Sequence, residues 1–234
     1  MLTFTRIALL SAALVVSGSA DVLALDEPRI LLHLRPVAAG NVCAAGEMSC
    51  CTDAVVSGGL GDYHVFVLAA PSHVMWLSEQ GIAGIQFGLD YAGAYEPSGT
   101  GTTICVFSWT SCATLQFPSP IPAWPNPGGG NLITWDLATN CQRAPVAVAG
   151  YFYLSAYSPG YFRLIPRPVD GLAKVADCTV NETILQDRLC CDSGILASVG
   201  FGPNTFGRNP CTPPCPTLPV RMSTWSGIKA QLGQ

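Results

Sequence analysis

The sequence predicts an all-β fold, a disulfide-stabilised antiparallel β-sandwich with little helix, and three observations lead to this prediction. Short runs rich in Val, Ile, Tyr, Phe, Trp and Thr alternate with Gly, Pro, Asn and Ser, which is typical of strands joined by turns. No alternation of strands with helices is visible, so a parallel α/β sheet is not expected. The chain of 234 residues also contains 11 cysteines, which indicate a disulfide framework if it is exported.

About ten strands are predicted from these runs. They cover residues 29–36, 63–69, 82–91, 103–109, 113–117, 131–136, 145–157, 161–166, 173–178 and 195–201. Within 82–91, odd-numbered residues from Ile85 to Tyr91 are apolar, whereas Gln86, Gly88 and Asp90 alternate with them. Because successive side chains point to opposite faces of a sheet, this strand is expected to be half buried.

The run 145–157 has a different pattern. Simple alternation places Val146 and Val148 on the face of Phe152 and Leu154, and it places Tyr151 and Tyr153 on the opposite face together with Ala147 and Ala149. This pattern predicts either a central strand that is covered on both faces or a strand with an aromatic outer face.

Helix is expected in two short places. Residues 181–189 offer Asn181 as an N-cap and an apolar stripe of Ile184, Leu185 and Leu189. Near the C-terminus, Thr224 can cap a last turn that carries Trp225, Ile228 and Leu232 on one side.

The domain organisation is predicted from composition along the chain. Residues 1–20 have a positive start, an apolar run and a small-residue cleavage site, so they are expected to be a signal peptide, with an alternative cut after residue 24. A membrane anchor is the competing interpretation, but the apolar run is about half of the ~20 residues that a span needs. A single domain over 26–208, a proline-rich linker over 209–220 and a short tail over 221–234 then follow.

The composition excludes several classes of function. Charged residues make up 11% of the chain and the net charge is −4, so no basic patch is available to bind nucleic acid. The hydrophobic fraction of 49% is ample for a core, which argues against disorder. A secreted or cell-surface location without a transmembrane segment is expected.

Every cysteine is first a disulfide candidate in an oxidising compartment. Vicinal cysteines rarely bond to each other, so each is expected to have a different partner. The preferred pairs are Cys112 with Cys141 and Cys178 with Cys211. Because the number is odd, one thiol stays unpaired or joins another chain, and zinc binding is the alternative use. The candidates are Cys43, Cys50, Cys51, Cys105, Cys112, Cys141, Cys178, Cys190, Cys191, Cys211 and Cys215.

Several segments resemble known secreted modules. The stretch GIAGIQFGLDYAGAY at 81–95 is similar to an early strand of cohesin-like β-sandwich domains, and VAGYFYLSAY followed by GYFRLIP resembles their late paired strands. The wider arrangement, which ends in TWSGIK at 224–229, is similar to a group of uncharacterised secreted bacterial proteins. The resemblance implies a cohesin-like or immunoglobulin-like topology and binding through a sheet face. The many cysteines depart from ordinary cohesins.

Aromatic side chains are the candidate ligand-binding residues, because a flat ring can bury the apolar face of a sugar. Trp124 is the first candidate because PAWPNPGGGN is predicted to be a loop, where an apolar side chain gains little from a core. The further candidates are Trp109, Trp135, Tyr151 and Tyr153, of which the two tryptophans are expected to be core residues.

No catalytic motif is complete. The string Cys191-Asp192-Ser193-Gly194 resembles a protease nucleophile loop, but Ile195 stands where that loop has glycine. Among the histidines, His33 and His64 are expected to pack at core edges, and His73 to be exposed. Glycoside hydrolysis by Asp90, Glu96 or Asp136 stays open because it needs only two carboxylates. Calcium is the candidate cofactor besides zinc, with carboxylates and loop carbonyls around Asp62, Asp90 or Asp136 as its oxygen ligands.

The sequence therefore predicts a secreted, non-catalytic module that binds a glycan or an extracellular protein through a sheet face or loop aromatics. An extracellular structural or assembly protein attached through its tail is the alternative, and a glycoside hydrolase is the third. An intermolecular disulfide through the odd cysteine is a further expectation.

Overall fold

The computed structural model describes residues 27–37, 42–71, 80–95, 103–185 and 194–211, and these ranges are almost entirely β. Helix is limited there to α1 (Val42–Ala45) and one 3₁₀ turn at Cys51–Asp53. The strands are β1 (Arg29–Pro36), β2 (Ser57–Gly58), β3 (Gly61–Ala70), β4 (Ile82–Tyr91), β5 (Gly93–Tyr95), β6 (Ile104–Ser111), β7 (Leu115–Pro118), β8 (Gly130–Thr134), β9 (Ala147–Ala156), β10 (Gly160–Ile165), β11 (Lys174–Asp177), β12 (Glu182–Ile184) and β13 (Ala197–Phe201).

Two sheets pack face to face as a β-sandwich, which confirms the predicted fold class. The five-stranded sheet has the order β1-β3-β9-β6-β5. The larger sheet has the order β12-β11-β4-β10-β13-β2, with β8 paired to β4 and β7 paired to β8. The pairs β5–β6 and β2–β13 are parallel, and the other pairs are antiparallel.

All ten predicted strands are present, with bounds shifted by a few residues, and β2, β5 and β12 were missed because they have only two or three residues. The helix predicted over 181–189 is wrong where it is described, since 182–184 form β12 beside β11. The Asp177 carboxylate accepts hydrogen bonds from the backbone N–H groups of Thr179 and Asn181 at 2.8 and 2.9 Å, which closes a turn that reverses the chain. Residues 186–193 lie outside the described ranges.

The main core lies between the sheets and contains aromatic rings from both. Phe152 of β9 contacts Phe162 of β10 with ring centroids 4.9 Å apart, and Phe162 stacks on Tyr91 of β4 at 5.0 Å. Aliphatic side chains from β1, β3, β4, β6 and β13 complete this cluster. The low charge of the sequence thus corresponds to strands that bury at least one face.

A β-bulge in β9 changes which side chains face the core. Val67 pairs with Gly150, but the next residue of β3, Leu68, pairs with Val148, so one residue of β9 is skipped. Ala147 and Ala149 therefore face the core before the bulge, and Phe152 and Leu154 face it after the bulge. The predicted grouping of Val146 and Val148 with Phe152 was wrong, because simple alternation does not continue through a bulge.

Strand β4 is buried on both faces, so the prediction that it is half buried was wrong for its second face. The connection after β10 folds over that face, where the amide of Gln86 donates to Asp170 at 2.8 Å and to the Leu172 carbonyl at 3.2 Å. A Cβ on Gly88 would lie 2.6 Å from Pro168, so only glycine allows this approach.

Residues 42–54, called here the covering segment, pack on part of the outer face of the five-stranded sheet. They cover Leu31, Phe66, Leu68 and Val146, which form a second, smaller cluster. Gly46 lies directly on this surface, because a Cβ there would be 2.5 Å from the Phe66 ring.

Disulfides anchor the covering segment at both ends. Cys43 bonds to Cys112 and Cys51 bonds to Cys211, while Cys141 bonds to Cys178 in the larger sheet. The preferred pairs of the sequence analysis, Cys112 with Cys141 and Cys178 with Cys211, were wrong. Strand spacing alone did not show that residues 42–54 return to the sheet and bring Cys43 and Cys51 to these partners.

Two further cysteines are free within the described ranges, the exposed Cys50 and the buried Cys105. Cys190, Cys191 and Cys215 lie outside them, as do the predicted signal peptide and the 221–234 tail. Among the described helices, none is both long and apolar enough to cross a membrane.

Candidate functional site

The part of the five-stranded sheet that the covering segment leaves open is the candidate site, and it is called the outer face below. Strand register places two rows of side chains there. One row runs Arg35, His64, Tyr153 and Ser108, and the next runs His33, Phe66, Tyr151 and Thr110. Their neighbours along each strand, such as Val65 and Phe152, point into the core, so these rows point away from it. In the second row His33 and Phe66 are buried, so only Tyr151 and Thr110 reach the open part.

Four rings on the outer face, those of His64, Tyr151, Tyr153 and Phe107, form a continuous aromatic ribbon across β3, β9 and β6, and the buried Phe66 adjoins it from beneath the covering segment. His64 lies between the two tyrosines, with centroid distances of 5.1 Å to Tyr151 and 5.9 Å to Tyr153, and it meets both at steep angles. Phe66 adjoins Tyr151 at 5.7 Å, and Phe107 adjoins Tyr153 at 5.1 Å. Phe107 reaches this face because β6 has its own bulge between Val106 and Ser108.

The polar atoms of the ribbon have no partners within the described part of the chain. The hydroxyls of Tyr151 and Tyr153 and the ring nitrogens of His64 make no hydrogen bond there, although both tyrosines are half-buried and His64 is 8% exposed. Burial lowers the pKa of His64, so its imidazole is neutral at pH 7 and offers one donor and one acceptor. A ligand can therefore receive both stacking and hydrogen bonds at this surface.

The outer face is almost uncharged. Arg35 is exposed at one edge and its Nε–H donates to His33 Nε2 at 3.1 Å. Asp62 accepts a hydrogen bond from the Ser155 hydroxyl at the end of the sheet beyond Tyr153. Among the described contacts, no hydrogen bond joins His64 to Ser155 or Asp62.

The structure divides the predicted aromatic residues into two groups. Tyr151 and Tyr153 lie side by side on the outer face, and their role in binding stays a prediction. Trp135 is 3% exposed and Trp109 packs on the main core, as expected for strand tryptophans. The indole N–H of Trp109 donates to the side-chain oxygen of Gln116 at 2.8 Å.

Trp124 was expected to project from a loop away from the core, and that expectation was wrong. Its ring lies 5.3 Å from Trp109, 5.6 Å from Phe87 and 5.6 Å from Phe152, centroid to centroid. Its indole nitrogen is buried and has no hydrogen-bond partner in the described structure. The loop folds inward because hydrogen bonds tie it to the sheet, for example from Gly128 N–H to the Leu89 carbonyl at 2.8 Å.

Among the described residues, the candidate carboxylates Asp62, Asp90 and Asp136 lie at separate places in the fold. Asp62 lies on the five-stranded sheet, while Asp90 pairs with Arg163 at 3.2 Å on the larger one. Asp136 accepts hydrogen bonds from Thr139 at 2.7 Å and so closes its own turn. It lies beside the start of β4, about 25 Å along the sheet from Asp90, which is too far for a glycosidase pair.

No group of three or more His, Cys, Asp or Glu side chains that suits a metal ion occurs within the described ranges. The remaining residues that the sequence analysis considered, His73, Glu96 and Ser193, lie outside those ranges.

Three residues of the outer face were missed as site residues. Arg35 and His64 lie on runs that were predicted as strands, so alternation could have placed them on one face. Their neighbours across the sheet depend on register, which the sequence does not give without the turns and bulges. Phe107 depends directly on the bulge of β6.

Comparison with known proteins gives only distant similarities. No family model matches the sequence, and no curated protein sequence matches it. Among solved structures, a cohesin of scaffoldin B from Acetivibrio cellulolyticus, in complex with a dockerin, superposes with a TM-score of 0.42 at 10% identity, over 75% of this chain and 98% of that one.

Two further cohesins give similar values. The cohesin module of a family 33 glycoside hydrolase from Clostridium perfringens has a TM-score of 0.37 and 11% identity, over 63% of this chain and 91% of that one. A cohesin–dockerin complex from Clostridium thermocellum has a TM-score of 0.37 and 10% identity, over 75% and 94%. TM-scores below 0.5 at such identities do not show membership of the cohesin family, so the resemblance stays a prediction.

Proposed function

We propose that this protein is a secreted, non-catalytic binding module that recognises carbohydrate on its outer face. The observation that carries the proposal is the aromatic ribbon, in which the hydroxyls of Tyr151 and Tyr153 and the nitrogens of His64 lack partners within the described residues. A sugar ring offers an apolar C–H face for the aromatic rings and hydroxyls for these polar atoms.

The flat shape and low charge of this surface fit the same class of ligand. A sheet face presents its side chains in rows, so a ligand that lies across it can contact Tyr151 and Tyr153 together. Among the described residues, Arg35 and Asp62 are the charges near the ribbon, and both lie at its margin. A neutral glycan therefore meets little unpaired charge when it binds.

Binding to a glycan array by the mature, oxidised protein tests the proposal. Tyr153→Ala and Tyr151→Ala should each weaken binding by about fivefold or more, because truncating an aromatic anchor of an interface costs above about 1 kcal/mol. Tyr157→Ala is the matched control, since Tyr157 is 61% exposed and follows the end of β9. Tyr153→Phe keeps the ring and should lose only about two- to tenfold, the contribution of one hydrogen bond.

An array without any bound glycan would contradict the carbohydrate proposal. If a protein partner is then found whose binding depends on Tyr151 and Tyr153 but not on Tyr157, the outer face recognises protein instead. Equal losses for Tyr153→Ala and Tyr157→Ala would remove the outer face from either role.

No cofactor is part of this proposal, and calcium is tested by the same assay. Glycan binding that is unchanged in EDTA agrees with a site that needs no cofactor. Loss of glycan binding in EDTA that added calcium restores contradicts such a site.

Attachment to other molecules is a separate proposal. Among the described residues, the exposed Cys50 is the thiol available for an intermolecular disulfide. A role of the tail in surface attachment is tested by deleting residues 224–234, and unchanged surface retention would refute it.

A further inference from the structure

Residues 181–183 have the sequence Asn-Glu-Thr, which matches the acceptor motif for N-linked glycosylation. The motif requires asparagine followed two positions later by serine or threonine, with any residue except proline between them. It occurs once in the sequence. Because so short a motif also occurs by chance, the exposure and the hydrogen bonds of Asn181 decide whether the folded chain can carry a glycan there.

Asn181 lies exposed on the surface, in the turn between β11 and β12. Its side-chain nitrogen Nδ2 donates to Thr179 Oγ1 at 2.7 Å and to Asp177 Oδ2 at 3.2 Å. A glycosylated amide keeps one of its two N–H groups, so one of these bonds can persist. The backbone N–H of Asn181 also donates to Asp177 at 2.9 Å, and glycosylation does not change that bond. The turn can therefore stay closed with a glycan attached.

The strand that follows the turn, β12, lies at one end of the larger sheet. Among the described strands it pairs only with β11, so its other edge is unpaired there. Val180 and Ile184, on the two sides of the motif, are 71% and 51% exposed. The one charged residue of β12, Glu182, is paired with Lys174 at 2.8 Å. An unpaired edge with exposed apolar side chains favours association between chains, and proteins commonly cover such edges.

We infer that Asn181 is an N-glycosylation site and that its glycan covers the free edge of β12. In the transfer, Nδ2 of Asn181 forms a bond to the anomeric carbon of an oligosaccharide that is carried on a polyprenyl diphosphate. The bond from that carbon to the diphosphate oxygen breaks, the diphosphate leaves with the electron pair, and one amide proton is lost. The inference rests on the export that is part of the proposed function, since N-linked glycans are found on secreted proteins.

Secretion of the mature chain from a yeast host tests the inference, with the host's own leader peptide in place of residues 1–20. Digestion of the secreted protein with peptide N-glycosidase should lower its mass and convert Asn181 to aspartate, which peptide mapping by mass spectrometry locates. Thr183→Ala should abolish the modification although Asn181 is unchanged. Thr183→Ser should retain it, because serine also supplies the hydroxyl that the motif requires.

Asn204 provides a matched control for modification at an exposed turn. It is exposed, but Phe206 occupies the third position, so the motif is incomplete. Asn204 should stay unmodified in the original protein and become modified in Phe206→Thr. Phe206 is 76% exposed, so this substitution leaves the core intact. If Asn181 stays unmodified while Asn204 is modified in Phe206→Thr, the inference is overturned.

A second measurement tests the covering role of the attached glycan. Enzymatic removal of the glycan from the native protein should increase its aggregation, measured by light scattering, because the edge of β12 is then uncovered. Equal scattering before and after removal would contradict this role.

The outer-face proposal is tested apart from this one. Glycan binding at the outer face should be the same before and after removal of the attached glycan, since β12 belongs to the other sheet. An unmodified Asn181 with outer-face binding retained refutes only the present inference. Failure of residues 1–20 to export the chain contradicts the proposed secretion instead.

Discussion

The stability of this protein should fall as the pH is lowered from 7 to 4.5, and His33 should account for a defined part of the loss. His33 is 4% exposed. Its two ring nitrogens lie 3.0 Å from the Val55 backbone nitrogen and 3.1 Å from Arg35 Nε. A neutral imidazole accepts a hydrogen bond from only one of these donors, and a protonated one accepts from neither. Burial, and after it the positive charge of Arg35, lower the pKa of His33 from 6.5 to about 4. Protonation of the folded protein is therefore unfavourable.

The sign and size of the effect follow from linkage. Because the folded pKa is the lower one, the unfolded chain binds the proton first, and stability that is present above pH 6.5 is lost as the pH falls toward 4. The complete difference corresponds to about 3 kcal/mol, of which about 2 kcal/mol is lost between pH 7 and 4.5. Burial also lowers the pKa of His64, so that residue adds a loss of the same sign.

Urea denaturation at pH 7 and 4.5 measures the effect in the original protein and in His33→Gln. The variant is less stable at both pH values, but its loss between them should be smaller by about 2 kcal/mol. Hydrogen bonds from Thr139 lower the pKa of Asp136, so its contribution is lost only below its ordinary value near 3.8, outside this range. Equal losses in the two proteins would refute the account of His33.

Two further predictions concern the burial of Trp124 and the state of the Cys105 thiol. Trp124→Ala should lower the free energy of unfolding by about 3 kcal/mol, because the ring packs on Trp109, Phe87 and Phe152; a change within about 0.5 kcal/mol in urea denaturation would indicate a surface residue instead. The Cys105 thiol should resist iodoacetamide in the native protein and react after unfolding without reductant, since burial blocks access and raises its pKa; a disulfide-linked peptide containing Cys105 in non-reducing mass mapping would contradict this.

The fold could be predicted from the sequence because strand signals are local. Runs such as 29–36 and 82–91 have the observed bounds of β1 and β4, since β-branched and aromatic residues between turn formers suffice to identify them. The helix predicted over 181–189 shows the limit of this approach, because residues 182–184 form a strand. The apolar residues have helical spacing in the sequence, but the turn closed by Asp177 determines the local structure.

The candidate site was predicted only in part because it depends on contacts across strands. Tyr151 and Tyr153 could be found because both lie on one face of one strand. His64 joins them only through the register of β3 with β9, and bulges make that register unpredictable from one sequence. Trp124 was misplaced for a related reason, because its position depends on hydrogen bonds from the loop to β4.

The face of the five-stranded sheet that points away from the core differs in composition between the part under the covering segment and the open part. This difference bears on function. Under the segment, the sheet presents Leu31, Leu68 and Val146, which suit a dry interface. Beyond it, the sheet presents His64 and the two tyrosines, which combine apolar area with hydrogen-bonding atoms. Small polar side chains at these positions would be well solvated and would not disturb the core. The aromatic side chains found there therefore favour a role in binding a ligand. Tyr153→Thr should therefore leave folding unchanged and remove binding, because Tyr153 contacts only neighbours on the outer face among the described rings.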